Sequence, residues 1–170
     1  MKKYILLALL SFLLLALIRS TSAVPCTPSL LANGCTVNSS LTLTPGTYNV
    51  AEISIIADNI VFNCNGATLD GSSFGLLGIS IANRVNVTIQ NCNMTHYTHS
   101  ITTVNSTSSN GNAINSTFKN NNFFDTEFGI VLSGPPTFTA IPPNSSRNNL
   151  IFNNTFNIIE KDAILIFPGI

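Results

Sequence analysis

The sequence predicts an all-β protein in which short strands repeat as the coils of a β-solenoid. A unit of alternating apolar and amide residues returns at 86–94, 117–123 and 150–156, and such self-similarity is typical of solenoids. The strands are rich in Val, Ile, Thr and Phe and show no helical periodicity. The units align in two apolar columns, with Ile89, Phe118 and Ile151 in one and Met94, Phe123 and Phe156 in the other.

A column of asparagines lies between the two apolar columns, and it consists of Asn91, Asn120 and Asn153. Strands of successive coils lie about 4.8 Å apart. We therefore expect the three side chains to hydrogen-bond as an internal ladder along the axis and to satisfy buried turn groups. This interpretation makes them structural rather than ligand-binding residues.

The first 23 residues have the pattern of a secretory signal peptide. Two lysines precede the apolar run 4–18, and residues 21–23 form a small-residue cleavage site. The run is shorter than the roughly 20 apolar residues that span a bilayer, so we expect cleavage rather than membrane insertion. The protein is therefore predicted to be secreted or held at the cell surface.

Four cysteines suit an oxidising compartment. Cys26 and Cys35 bracket a loop marked by Pro and Gly, and we predict that they pair within an N-terminal cap at residues 24–40. A solenoid needs a cap because its first coil would otherwise expose a sheet edge and an apolar core. The coils then occupy residues 41–170.

The pairing of Cys64 with Cys92 depends on the register of the first repeat. Aligning Asn63-Cys64 with Asn91-Cys92 superposes the cysteines in successive coils but turns Phe62 outward. Aligning Phe62 with Ile89 keeps the phenylalanine inside but separates the cysteines as buried free thiols. We predict the disulfide, since stacked residues lie within the Cα separation that a disulfide accepts.

The low charge of the chain limits its partners. The 170 residues have a formal net charge of zero and only 8% are charged, against about 25% in ordinary soluble proteins. This leaves no electrostatic footprint for nucleic acid or for an anionic membrane surface. Asn, Ser and Thr must solvate the surface instead, which suits contact with sugars.

Asn-x-Ser/Thr sequons are dense, although a chain rich in these residues produces them by chance. They begin at Asn38, Asn86, Asn93, Asn105, Asn115, Asn144 and Asn153. Asn105 and Asn144 lie on long loops and are the predicted glycan acceptors. Asn153 is predicted to be unmodified because it belongs to the expected internal ladder.

One turn column collects side chains with catalytic chemistry. It carries His96 and His99, then Asp125 and Glu127, and finally Glu160 and Asp162. Carboxylates one coil apart would have the roughly 5 Å spacing of a retaining glycosidase pair, and Asp125 with Glu127 could hold calcium. We favour the simpler interpretation of a turn that faces water, with no resident cofactor. If that interpretation is wrong, the catalytic candidates are His96, Asp125, Glu127 and Asp162.

The segments 63–71, 78–81 and 86–92 resemble right-handed parallel β-helix repeat proteins of the pectate-lyase-like superfamily. They read Asn-Cys-Asn-Gly-x-Thr-Leu-Asp-Gly, Gly-Ile-x-Ile and Asn-Val-Thr-Ile-x-Asn-Cys, and the nearest likeness is to exported surface and NosD-like members. The resemblance implies a right-handed single-stranded parallel β-helix of about four to five coils behind the disulfide cap. The chain stops directly after a strand, a pattern that also fits truncation at the C-terminus.

The resemblance does not imply one activity, because the scaffold carries lyases, hydrolases, epimerases, adhesins and inert spikes. We expect an exported surface or extracellular interaction module that contacts polysaccharide or cell-surface glycan through its amide-rich face. The alternative is a carbohydrate-active enzyme, either a polysaccharide lyase or a glycoside hydrolase, or a remnant of one. Against it, the Asp-Asp, Gly-His-Gly and Arg-Ile-Lys pattern of polygalacturonases is missing, and neither Arg84 nor Arg147 lies in an evident acidic cluster.

Overall fold

A computed structural model of the chain describes residues 24–72, 76–103, 111–132 and 146–166. Within these ranges every regular element is a β-strand, as the alternating patterns predict. None of the described residues forms a helix long and apolar enough to cross a membrane. The predicted signal peptide and the sequons at Asn105 and Asn144 lie outside the described residues.

The strands are short except for two long ones near the C-terminal end. The first eight are β1 Thr36–Val37, β2 Leu41–Thr42, β3 Thr47–Asn49, β4 Ile53–Ile55, β5 Val61–Asn63, β6 Thr68–Asp70, β7 Leu77–Ser80 and β8 Arg84–Val85. The next eight are β9 Thr88–Gln90, β10 Asn93–Thr95, β11 His99–Thr102, β12 Ala113–Ile114, β13 Thr117–Lys119, β14 Asn122–Leu132, β15 Leu150–Phe152 and β16 Thr155–Ile166.

All the strand pairings are parallel, and they build three stacks that the chain visits in a constant order. Sheet 1 contains β2, β5, β9, β13 and β15. Sheet 2 contains β3, β6, β10 and the first halves of β14 and β16. Sheet 3 contains β1, β4, β7, β11 and the second halves of the same two strands, so sheets 2 and 3 form one curled sheet. One passage through the three sheets is a repeat, and β8 pairs with β12 between repeats.

The core is made of inward-facing columns, one for each sheet. The sequence-predicted columns are confirmed, since Ile89 pairs with Phe118 and Met94 with Phe123. The buried members, each no more than 1% exposed, are Phe62, Ile89 and Phe118 in sheet 1, Leu69, Met94 and Phe123 in sheet 2, and Ile79, Ile101 and Ile130 in sheet 3. Ring stacking continues the sheet 2 column, because Phe123 and Phe156 have centroids 4.9 Å apart.

Each corner between sheets carries residues whose backbone is left-handed. The corner before sheet 1 has Asn59, Asn86, Asn115 and Asn148, all with φ between 52° and 59°. The corner between sheets 1 and 2 has Asn91, Asn120 and Asn153 at 57°, 55° and 53°. The corner between sheets 2 and 3 has His96, Asp125 and Ile158. Asparagine tolerates this conformation better than most residues, so the backbone explains the asparagine periodicity.

The predicted asparagine ladder is therefore wrong by one residue. Asn120 and Asn153 are exposed, and Asn91 is half-buried with its Nδ2 donating to Asn63 Oδ1 at 2.9 Å. The inward amides are those of the next residues, Asn121 and Asn154. The backbone N–H of Cys92 donates to Asn121 Oδ1 at 3.1 Å, and that of Asn121 donates to Asn154 Oδ1 at 2.9 Å.

The inner amides also act as donors, so each one accepts a hydrogen bond from one backbone N–H and donates one to a backbone carbonyl of the preceding repeat. Asn121 Nδ2 donates to the carbonyl of Ile89, and Asn154 Nδ2 to that of Phe118. Asn121 is only 1% exposed, and a buried backbone group without a partner would destabilise the fold. The internal amide bonds thus exist, but they are made by Asn121 and Asn154, the residues that follow left-handed Asn120 and Asn153.

Both predicted disulfides are present, Cys26–Cys35 and Cys64–Cys92. Phe62 lies opposite Ile89 and is buried, yet Cys64 and Cys92 still have Cα atoms 4.8 Å apart. Phe62 can therefore align with Ile89 while Cys64 still aligns with Cys92. This is possible because four residues, 64–67, join β5 to β6, whereas two residues, 91–92, join β9 to β10. The first repeat thus absorbs its extra length at the corner rather than in the strand.

Replacing Asn120 separates the backbone role from a side-chain role. We expect Asn120→Gly to stay close to the parent, because glycine keeps a positive φ, and Asn120→Val to lose roughly 1–2 kcal/mol of unfolding free energy. Urea unfolding measures both, with Lys119→Val as the control for introducing valine at an extended position. If Asn120→Gly instead lost more unfolding free energy than Asn120→Val, the side chain of Asn120 rather than its backbone conformation would be the stabilising feature.

Removing the Cys64–Cys92 bond should cost much of the domain's stability. The bond closes a sequence separation of 28 residues, which corresponds to about 3–4 kcal/mol on the chain-entropy estimate. The double variant Cys64→Ala, Cys92→Ala is expected to unfold at lower denaturant by that amount. A variant as stable as the parent would mean that the sheets alone hold this corner.

Candidate functional site

A surface pocket lies at the corner between sheets 2 and 3 and has a volume of about 250 Å³. We call it the His96 pocket. It is lined by His96, Tyr97, Thr98, Asp125, Glu127 and Glu160. The parallel register of β10, β14 and β16 brings these residues together: His96, Tyr97 and Thr98 follow β10, Asp125 and Glu127 lie within β14, and Glu160 lies within β16.

His96 lies between two aspartates of neighbouring repeats. Its Nδ1 is 2.8 Å from Asp70 Oδ1, and its Nε2 is 3.5 Å from Asp125 Oδ2. The backbone reinforces the stacking, since the N–H of His96 donates to the carbonyl of Asp125 at 2.8 Å. An ionised carboxylate only accepts hydrogen bonds, so the Asp70 contact places a hydrogen on Nδ1. Asp70 therefore orients the ring and directs Nε2 towards Asp125.

Asp70 is held in its ionised form. Burial acts to raise the pKa of this carboxyl, but hydrogen bonds from the backbone N–H of Ser72 and from His96 outweigh it, and the pKa lies below its usual value. The Ser72 N–H donates to Oδ1 at 2.9 Å. The group thus acts as a fixed acceptor rather than as a proton donor near neutral pH.

Glu127 is paired with a lysine, and His99 stacks on an aromatic ring. Lys161 Nζ is 2.6 Å from Glu127 Oε2 and 5.2 Å from the ring centroid of Phe128. The His99 ring stacks on Phe128 with centroids 5.1 Å apart. Burial lowers the pKa of His99, Lys161 lowers it further, and Glu127 opposes both. His99 is therefore held neutral, and Lys161 compensates the charge of Glu127.

Tyr97 lines the pocket but serves the core. It is 1% exposed, and its hydroxyl donates to the carbonyl of Val50 at 2.5 Å, two repeats earlier in the chain. Burial and the charge of Asp70 raise the pKa of Tyr97 far above its ordinary value. The phenol is thus a structural anchor that ties the floor of the pocket to the backbone between β3 and β4.

The structure brings together most, but not all, of the sequence-predicted candidates. His96, Asp125 and Glu127 share the pocket, whereas exposed Asp162 lies opposite Phe128 in sheet 3 and Glu160 lines the pocket instead. In the described part of the chain no three His, Cys, Asp or Glu side chains are arranged to hold a metal ion. Calcium at Asp125 and Glu127 stays a prediction.

Sequence reasoning missed Asp70 because the register of the first repeat was open. The signal was present, since aligning Thr68-Leu69-Asp70 with Asn93-Met94-Thr95 puts Asp70 beside His96.

Comparison with protein-family models, with curated proteins and with solved structures finds no significant match. The function must therefore be inferred from the residues of this chain.

Acidification should destabilise the protein through His99. The pKa of His99 is lower in the folded protein than in the unfolded chain, so the unfolded chain takes up the proton more readily. The contribution of His99 to the free energy of unfolding is therefore fully present above the unfolded pKa of about 6.5, and it is lost as the pH falls through the folded pKa. We expect His99→Phe, which keeps a ring against Phe128, to flatten the fall in unfolding free energy below about pH 6.5. Denaturant titrations across this range measure it. An unchanged slope would contradict the assignment.

Proposed function

We propose that the chain is a right-handed single-stranded parallel β-helix of about five coils, related to the pectate-lyase-like superfamily. Support comes from the constant order in which the chain visits the three parallel sheets and from the inward columns that run through successive repeats. Parallel crossovers are right-handed in about 98% of cases. The Cys26–Cys35 bond supports a cap at residues 24–40, where β1 pairs with β4.

We propose further that this β-helix is exported and acts at the cell surface or in the extracellular space as a glycan-binding interaction module. Two disulfides suit an oxidising location, and the basic and apolar pattern of residues 1–23 suits export. A neutral net charge gives no support to a nucleic-acid partner or to binding at an anionic membrane surface.

The observation that carries the glycan proposal is the outer face of sheet 2. Its outward residues form two columns in register across five repeats, and all but two carry an amide or a hydroxyl. The columns are Thr47, Thr68, Asn93, Asn122 and Thr155, and Asn49, Asp70, Thr95, Phe124 and Asn157. Strand spacing repeats these neutral donors and acceptors about every 4.8 Å, which suits the hydroxyls of an extended sugar chain.

An aromatic ring stands out on this polar face. Phe124 is 45% exposed and borders a shallow depression of about 370 Å³. The depression is lined by Thr68, Asn93, Met94, Thr95, Asn122 and Phe124. An apolar ring beside a few polar groups suits a pyranose, because the C–H face of the sugar packs on the ring while its hydroxyls bond to the amides.

Phe124 provides the decisive variant. We expect the parent to bind a neutral polysaccharide in a glycan microarray and in calorimetry, and Phe124→Thr to bind it about 2- to 10-fold more weakly, the usual effect of losing one aromatic contact. Phe152→Thr is the matched control, because Phe152 is 40% exposed but lies on sheet 1. Equal effects of the two changes, or no binding by the parent, would remove the proposal.

The alternative function is a carbohydrate-active enzyme, and the His96 pocket is the observation that favours it. The pocket combines an imidazole with the carboxylates of Asp125, Glu127 and Glu160, the residue types of acid and base catalysis. Incubation with acidic and neutral polysaccharides, with and without calcium, tests it. Unsaturated products or new reducing ends that Asp125→Asn abolishes would favour the enzyme.

A further inference from the structure

Of the three described sequons whose exposed asparagine occupies a left-handed corner, two have no described hydrogen bond from the asparagine side-chain nitrogen. They are Asn115-Ser116-Thr117 and Asn153-Asn154-Thr155, and both asparagines are exposed, with φ of 52° and 53°. In each sequon the left-handed turn sends the asparagine and the threonine outward and the middle residue inward. The two side chains that define a sequon thus share the outer surface.

The inward middle residue fixes this geometry. Ser116 is 1% exposed, and its Oγ accepts the backbone N–H of Val87 at 3.2 Å. Asn154 Oδ1 accepts the N–H of Asn121 at 2.9 Å. The core is therefore built by the middle residue, and the acceptor asparagine can carry a large group without displacing a core contact. The prediction that Asn153 is unmodified rested on a buried position, which it does not have.

Two other sequons differ in the use of their side-chain nitrogen. Asn86 Nδ2 donates to Asn59 Oδ1 at 3.0 Å, and Asn93 Nδ2 donates to the carbonyl of Gly66 at 2.9 Å. A glycan on either nitrogen would compete with these contacts. Asn93 also lies in the depression on sheet 2, where a glycan would obstruct the proposed binding face.

We propose that Asn115 and Asn153 are N-glycan acceptors. Nδ2 would attack the anomeric carbon of an oligosaccharide carried on a polyisoprenyl phosphate, a C–N bond would form, and the C–O bond to phosphate would break. The lipid phosphate leaves, Nδ2 loses one proton, and no electrons are exchanged. A glycan on Asn153 would sit beside Phe152 and Leu150, which are 40% and 55% exposed, and would shield this apolar patch from water.

The proposal rests on the export part of the proposed function, so the test supplies export separately. The chain from residue 24 is secreted from a eukaryotic host behind the host's own leader, and glycans are removed by peptide N-glycosidase in heavy-oxygen water. We expect the isotope label at Asn115 and Asn153, at higher occupancy than at Asn86 and Asn93. Secreted protein that lacks the label at Asn115 and Asn153, or carries more of it at Asn93, overturns the proposal.

Variants keep the test independent of folding. Thr117→Ala and Thr155→Ala each abolish one sequon while retaining the left-handed asparagine, and each should remove one glycan from the intact mass. Thr47→Ala lies in the same outward column as Thr155 but in no sequon, and it should leave the mass pattern of glycoforms unchanged. Non-reduced peptide mapping of Cys64–Cys92 shows that the secreted protein is folded, and glycan binding is measured on unglycosylated protein, so the two proposals fail separately.

Discussion

The left-handed turn at each corner is the constraint on which the rest of the structure depends. The chain must change direction sharply between sheets while its strands stay in register with those of the neighbouring repeat. This conformation costs most L-residues about 1–2 kcal/mol each, and asparagine reduces that cost by bonding locally. The corners of sheet 1 accordingly carry Asn86, Asn115 and Asn148 on one side and Asn91, Asn120 and Asn153 on the other. Once the corner residue points outward, the next residue must point inward. Asn121 and Asn154 therefore become the amides that satisfy the buried backbone.

The apolar columns and the Cys64–Cys92 bond could be predicted because side-chain alternation and strand spacing leave little freedom once a repeat is aligned. The role of the asparagines could not be predicted in the same way. A left-handed corner and an internal amide ladder both demand asparagine, and here they occupy adjacent positions, Asn120 and Asn121, so the sequence alone does not assign them. Asp70 was missed for a related reason. The first repeat takes two additional residues into its corner, which hides the alignment of Asp70 with Thr95.

One carboxylate of the His96 pocket, that of Glu127, is paired with a lysine. Lys161 contacts Glu127 at 2.6 Å, Asp70 is held ionised by Ser72 and His96, and burial keeps His99 neutral. General acids and bases usually have pKa values moved towards the working pH. The pKa of Asp70 is lowered, away from neutrality, and burial together with the charge of Asp70 raises the pKa of Tyr97, also away from neutrality. These shifts stabilise one protonation state each for Asp70, Tyr97 and His99.

On the outer face of sheet 2, the backbone does not require a particular type of side chain. The column that holds Phe124 carries Asn49, Asp70, Thr95 and Asn157 in the other repeats, so the backbone at this position accepts polar side chains. The Phe124 ring is not needed to fill the core, because the neighbouring Phe123 occupies the inward position and is buried. Leaving a phenylalanine 45% exposed forgoes part of the roughly 1.5–3 kcal/mol that full burial of such a side chain would contribute. A partner that covers the ring would recover this free energy, and among ligands with a neutral, hydroxyl-rich surface a sugar ring offers the matching apolar face.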